Sequence, residues 1–234
     1  MRAAGIDVAE NIKRVRGAIA EAAAGTGRAP GDVMLVAASK TQTADKVRQA
    51  IEAGVDAVGE NRVQEMLEKN SQCAYEGVPL HFIGQLQSNK VNKVVGLCGL
   101  IESVGSAALL AQIGKRAVSL GIAQNVLIEV NIGREPQKSG VLPERLTDVL
   151  ELASQTGGVN VQGLMAIPPV FGENERNCNF YDAMFKLFID IMGKKYDNVS
   201  MRFLSMGMSD SYQEAIRYGA NMVRVGSAIF GSRE

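Results

Sequence analysis

The sequence predicts a (β/α)8 barrel preceded by one extra helix, forming a single domain over residues 1–234. Three observations carry that reading. Short apolar runs alternate with stretches of helical periodicity, eight times in about 200 residues and without a break in composition. Polar or glycine-rich clusters follow those runs, where the chemistry of such barrels gathers. An open doubly wound sheet is the alternative, but no GxGxxG follows the first apolar run.

Residues 6–24 read as an amphipathic helix, because Ile6, Ala9, Ile12, Val15 and Ile19 recur at helical spacing. Gly25–Thr26–Gly27 ends it, and Pro30–Gly31–Asp32 turns the chain into the first strand. Strands are expected near 33–38, 55–58, 80–83, 99–102, 126–131, 161–166, 202–205 and 222–225. Helices fill 43–53, 60–70, 86–95, 106–120, 142–156, 178–193 and 209–218. Thr43 is suited to cap the helix through Val47, Ala50 and Ile51, and Ser209 or Asp210 the helix through Ala215 and Ile216. Gly54 and Gly219 stop those two helices.

Composition narrows the function. Lys plus Arg and Asp plus Glu each number 25, a zero formal charge that points to no nucleic-acid or membrane partner. Cys73, Cys98 and Cys178 are scattered and odd in number, which argues against a disulfide framework and a zinc site. The charged start, with Glu10, Lys13, Arg14 and Arg16, is no signal peptide, and no stretch has the apolar length of a membrane span. The expected compartment is the cytoplasm. A barrel with its own leading helix can stand as a monomer, with a weak dimer as the alternative.

Lys40 follows the apolar run Val33–Ser39, so a buried strand delivers an amine to its carboxyl end. Such an amine can form a Schiff base with an aldehyde if burial or neighbouring positive charge lowers its pKa from about 10.4. The alternative is a lysine that marks the solvated end of a strand. Ser205–Met206–Gly207–Met208–Ser209 and Gly226–Ser227–Ala228 follow the last two strands, where barrels build phosphate sites from backbone N–H groups and hydroxyls. The same residues also suit tight turns and helix caps. Met206 and Met208 can line the site.

Arg224 lies in Met222–Val223–Arg224–Val225 and points into the barrel mouth if the valines face the helices. It can clamp a phosphate, sit near a pyridine nitrogen, or pair with Glu129. Asn61 can bond a ligand oxygen or cap the helix beginning there. His81, the sole histidine, reads as a core or barrel-lining group. An amine and a phosphate cradle across one barrel mouth suit a phosphorylated aldehyde cofactor or the phosphorylated substrate of a Schiff-base aldolase.

Six strings occur in an order that resembles the pyridoxal phosphate homeostasis protein family, relatives of the alanine racemase barrel domain. They run through Leu35–Thr41, Gly59–Glu65, His81–Lys90, Gly163–Pro169, Ser205–Asp210 and Val223–Gly231, and the resemblance covers essentially the whole chain. It implies a fold type III pyridoxal-phosphate barrel without the second β domain. It also implies that Lys40 carries pyridoxal 5′-phosphate as a Schiff base. Ser205, Gly207 and Ser209, with Gly226 and Ser227, would hold the phosphate. Arg224 would lie near the ring or phosphate, and Asn61 would give polar support. The segment Asn131–Gly140 keeps Lys138 but departs from the family pattern at Arg134 and Pro136. Lys138 is then a surface charge or a secondary contact for the cofactor.

The implied role is cofactor buffering in vitamin B6 homeostasis, with apo-enzymes as recipients and no settled turnover. Racemisation needs an acid–base group on each face of the substrate α-carbon. The related racemase supplies a tyrosine from a second domain and a partner subunit, for which this chain has no room. Tyr181, Tyr212 and Tyr218 fall on or near outer helices. A weak racemase, or a protein whose glycine loops are only turns, are the competing readings.

Overall fold

In the computed structural model, which describes residues 7–169 and 178–231, eight parallel strands pair in chain order and close into a barrel. They are β1 Met34–Ala38, β2 Ala57–Glu60, β3 Leu80–Phe82, β4 Leu100–Val104, β5 Gln124–Glu129, β6 Val159–Met165, β7 Val199–Ser205 and β8 Met222–Val225. Closure sets β1 against β8, with Met34 opposite Met222 and Val36 opposite Arg224. Around the barrel lie α1 Val8–Ala24, α2 Ala44–Glu52, α3 Val63–Ser71, α4 Val91–Val94, α5 Ala107–Ser119, α6 Leu146–Gln155, α7 Cys178–Met192, α8 Tyr212–Arg217 and α9 Ser227–Phe230.

Alternation along the strands divides the apolar core in two. Val36, Ala57, Leu100, Leu127, Met165 and Met222 pack inside the barrel. Leu35, Ala37, Val58, Ile101, Val126, Leu204, Val223 and Val225 face the helices in the larger cluster. Burying each of the bigger side chains contributes about 1.5–3 kcal/mol. The leading helix α1 starts on Asp7, whose carboxylate accepts the Glu10 N–H at 3.0 Å. It buries Val8, Ile12, Val15 and Ile19, and Asn11 donates to the Ile229 carbonyl at 2.8 Å. It therefore packs beside α9, next to the last strand.

Several local expectations need correction. The predicted helix 86–95 is a 3-10 turn, Ser88–Lys90, followed by the single turn α4. The second strand begins at Ala57 rather than at 55, which makes Glu60 its buried last residue. Strand β4 runs on to Val104, two residues beyond its expected end at Glu102, which therefore lies mid-strand. Thr43 does cap α2, accepting the Lys46 N–H at 3.4 Å. Neither Ser209 nor Asp210 caps α8, whose N-cap is Ser211, because Ser209 is engaged by the next loop. No helix among the described residues is long and apolar enough to cross a membrane.

Candidate functional site

The carboxyl ends of β1, β2 and β8, with the loop after β7, surround a cavity of about 290 Å³. Lys40, Asn61, Ser209, Arg224, Gly226 and Ser227 line it together with Ala38, Ile83, Ile167 and Phe230. Six of the eight residues singled out from the sequence therefore meet at one place. Ser205 and Gly207 do not line it.

Lys40 sits just past β1, exposed at the cavity, and its amine has no hydrogen-bond or ion-pair partner among the described residues. The turn that carries it is closed by Gln42 N–H donating to the Ser39 carbonyl at 3.0 Å. Thr41, next in the turn, has φ +63°, an uncommon conformation for a β-branched residue. Its N–H donates to Glu65 at 2.7 Å and its hydroxyl to the Lys40 carbonyl at 2.6 Å. Below the turn, Glu60 Oε1 accepts Ser39 Oγ at 2.5 Å, Lys69 Nζ at 2.6 Å and the Tyr75 hydroxyl at 3.0 Å. Burial, then the Glu60 charge, pushes the Tyr75 phenol far up and the Cys98 thiol up to about 12.

Arg224 forms part of the cavity wall with its guanidinium turned onto a buried polar set. It donates to Ser205 Oγ at 2.5 Å and to the Ala166 carbonyl at 3.0 Å, and lies 3.7 Å from Glu102. Ser205 donates on to Glu102 Oε2 at 2.6 Å, and His81 Nδ1 lies 2.8 Å from Glu102 Oε1. The ion-pair partner of Arg224 is thus Glu102, not Glu129, whose oxygens both accept from Ser139 at 3.0 Å. Burial pushes Glu102 up, but the bond and charge of His81, the Arg224 charge and the Ser205 bond outweigh it. They hold this carboxyl below its ordinary value. Burial likewise lowers Arg224, against the pull of Glu102 and Glu129, and the guanidinium remains a cation. Glu129 is raised by burial, against Ser139 and Arg224.

The loops after β7 and β8 are joined through Ser209, whose hydroxyl accepts the Gly226 N–H at 3.1 Å and the Ala228 N–H at 3.2 Å. Gly207 lets the loop after β7 pack closely on α8. Its φ is +96°, and an added Cβ would stand 2.7 Å from the Ala215 Cβ and 2.9 Å from the Tyr212 Cα. Its carbonyl accepts the Arg224 N–H at 3.1 Å, so it braces β8 from behind. Asn61 is set by backbone contact with Gly84, where a Cβ would lie 2.6 Å from the Asn61 Cα. The Asn61 Oδ1 is buried without a hydrogen-bond partner in the protein. Met208 lines the cavity, whereas Met206 is buried in the outer core. Lys138 is not among the lining residues; it pairs with Glu135 and reaches the Pro168 carbonyl at 3.4 Å.

Glu102, Ser205 and His81 form a polar layer below the cavity that the sequence reading did not assemble. A usable signal existed: Glu102 is two residues after the inward Leu100, and strand alternation points both the same way. Lys69 gave no such signal, since a lysine in an outer helix ordinarily faces water.

A closed parallel barrel with a lysine at the end of its first strand defines a class, and the family model described as alanine racemase, N-terminal domain, matches residues 8–234. Within that class, the pyridoxal phosphate homeostasis protein of Aquifex aeolicus is 39% identical over 98% of this chain and 100% of its own length. A crystal structure of an unknown protein from Bifidobacterium adolescentis superposes with TM-score 0.88 at 37% identity, covering 96% of this chain and 94% of that one. PipY of Synechococcus elongatus, solved with PLP bound, superposes with TM-score 0.79 at 32% identity, covering 91% and 100%. This chain belongs to the pyridoxal phosphate homeostasis protein family.

Proposed function

We propose that the protein binds pyridoxal 5′-phosphate at Lys40 and carries or buffers it, maintaining vitamin B6 homeostasis rather than turning over a substrate. One observation carries the reading. The free Lys40 amine, Asn61, Arg224 and the Ser209–Gly226–Ser227 corner converge on a single open cavity. The PLP-bound PipY structure and the name shared by the relatives support the ligand and the role.

The residues present fit this cofactor. A buried Asn61 oxygen lacks a partner, and the N–H groups of Gly226 and Ala228 are already turned toward an oxygen acceptor. Ser209, Gly226 and Ser227 would hold the phosphate, with Ser205 and Gly207 bracing that corner and Arg224 from behind. When bound, the cofactor supplies an aldehyde whose carbonyl oxygen, lost as water, is exchanged reversibly for the nitrogen of a primary amine. Lys40 provides that amine. Arg224, paired with Glu102 beneath the wall, would contribute positive charge to that side of the cavity.

The titratable side chains that line the cavity among the described residues are Lys40, Asp210 and Arg224. Tyr181 and Tyr212 belong to α7 and α8, and Tyr218 caps α8. Release to apo-enzymes then needs only reversal of the exchange. Cys73, Cys98 and Cys178 are free thiols, which suits the reducing cytoplasm.

The test compares purified protein with Lys40→Ala after incubation with pyridoxal 5′-phosphate and borohydride, by visible absorption and intact mass. A reduced adduct in the native protein only supports the reading. A native protein that remains colourless and unmodified overturns it. Stereospecific turnover of an amino acid that vanishes in Lys40→Ala would replace the carrier with an enzyme.

A further inference from the structure

We infer that Lys69 is a positioning residue for Lys40: together with Glu60 it fixes the turn that holds the Lys40 backbone at the cavity. The inference rests on the reading of Lys40 as the amine that holds the ligand.

Lys69 extends inward from α3 and is only 5% exposed. Its amine makes two bonds, to Glu60 Oε1 at 2.6 Å and to the Ser39 carbonyl at 2.7 Å. That carbonyl also closes the Ser39–Gln42 turn, and Ser39 Oγ returns to the same Glu60 oxygen. The ion pair is thus attached to the carbonyl and the hydroxyl of the residue immediately before Lys40. On the other side, Glu65, also on α3, accepts the Thr41 N–H. One helix therefore grips the turn on either side of Lys40.

Energetics favour a geometric role over a stabilising one. A buried ion pair is weak support for stability, since well-packed apolar replacements are often as stable. Here Glu60 Oε2 is left buried without a partner, an added cost that a purely structural anchor would not need. Meanwhile Thr41 is held at φ +63°, and a strained residue of this kind persists only where its surroundings over-determine it. Releasing Ser39 would let the turn relax and Lys40 leave its direction, while Arg224 and Ser209 keep hydrogen bonds that run to other partners.

The experiment measures Lys69→Met, Lys69→Arg and Lys69→Met combined with Glu60→Gln in three ways. Amide hydrogen exchange at residues 39–42 reports the turn without any ligand. Intact mass after timed borohydride quenching reports the rate of covalent capture at Lys40. Titration with 4′-deoxypyridoxine 5′-phosphate, which lacks the aldehyde, reports the rest of the cavity.

Lys69→Met is expected to speed exchange in the turn and slow capture about tenfold. Affinity for the aldehyde-free analogue should stay within about twofold, and Lys69→Arg should recover most of the capture rate. Capture as fast as in the native protein, or capture and analogue affinity falling in equal proportion, overturns the inference. If Lys69→Met does not fold, Lys69→Met combined with Glu60→Gln, which leaves no uncompensated charge, decides by the same split. If the native protein captures nothing, the Lys40 reading fails instead, and hydrogen exchange alone shows whether Lys69 holds the turn.

Discussion

Arg224 on β8 and Glu102 on β4 face each other across the barrel interior at 3.7 Å, with the Ser205 hydroxyl accepting from one and donating to the other. Both ions are almost wholly buried. The guanidinium that contributes to the cavity wall is therefore held from below by a carboxylate that never reaches the ligand space.

Removing that carboxylate leaves a buried cation without compensation. Glu102→Gln is expected to lower the unfolding free energy by about 3–5 kcal/mol, read from the urea midpoint at neutral pH. A loss under about 1 kcal/mol would mean that His81 and Ser205 alone hold the layer together.

Two of the buried glutamates, Glu102 and Glu129, should give acid limbs of opposite sense. Glu102 has a depressed folded-state pKa, so its contribution is complete above the unfolded carboxylate value near ~4.3 and is lost as pH falls through the folded value. Glu129 has a raised one, so its contribution is complete below about 4.3 and is lost as pH rises through the folded value. Urea midpoints between acid and neutral pH should show Glu102→Gln with a flattened acid loss. Glu129→Gln should match or exceed the native protein at neutral pH. A clear fall there would show that attraction to Arg224 outweighs burial at Glu129.

Gly84→Ala puts a methyl group where the Asn61 carbonyl oxygen and Cα already stand. Because the obstacle is backbone, the β2–α3 connection must shift, at about 1–3 kcal/mol. Thermal unfolding should report the loss, and retention of pyridoxal 5′-phosphate should fall with the displacement of Asn61. A variant as stable and as retentive as the native protein would show that this segment yields freely.

Ser209→Ala removes the acceptor shared by the Gly226 and Ala228 N–H groups. The expected cost is about 1–2 kcal/mol in the ligand-free protein. Retention of pyridoxal 5′-phosphate in dialysis should drop about tenfold, an affinity change worth ~1.4 kcal/mol. Unchanged retention would place the phosphate elsewhere.

Much of the site was legible because its signals are local. Lys40 follows an apolar run, and the serines and glycines after β7 and β8 lie within a few residues of strand ends. Arg224 was placed inward by the parity of Val223 and Val225, which do face the helices. The cap expected from Ser209 failed for a non-local reason. Its hydroxyl had a choice between the helix that follows it and two N–H groups at the start of α9, and packing in the barrel mouth brought the second pair within 3.2 Å.

By itself, then, the sequence determined the order of elements, the barrel they close into and the residues carried to its mouth. Periodicity, turn chemistry and strand parity act over a few neighbouring residues and are written in the chain directly. Only the tertiary structure decided who neutralises whom. Arg224 had two interior carboxylates to choose between, and its bond to Glu102 runs through Ser205, 103 positions away from that carboxylate. Lys69 turned inward because a buried Glu60 was there to receive it. A buried charge is satisfied by whatever acceptor lies within a few ångströms, and that distance is set by strand register and helix packing around the closed barrel.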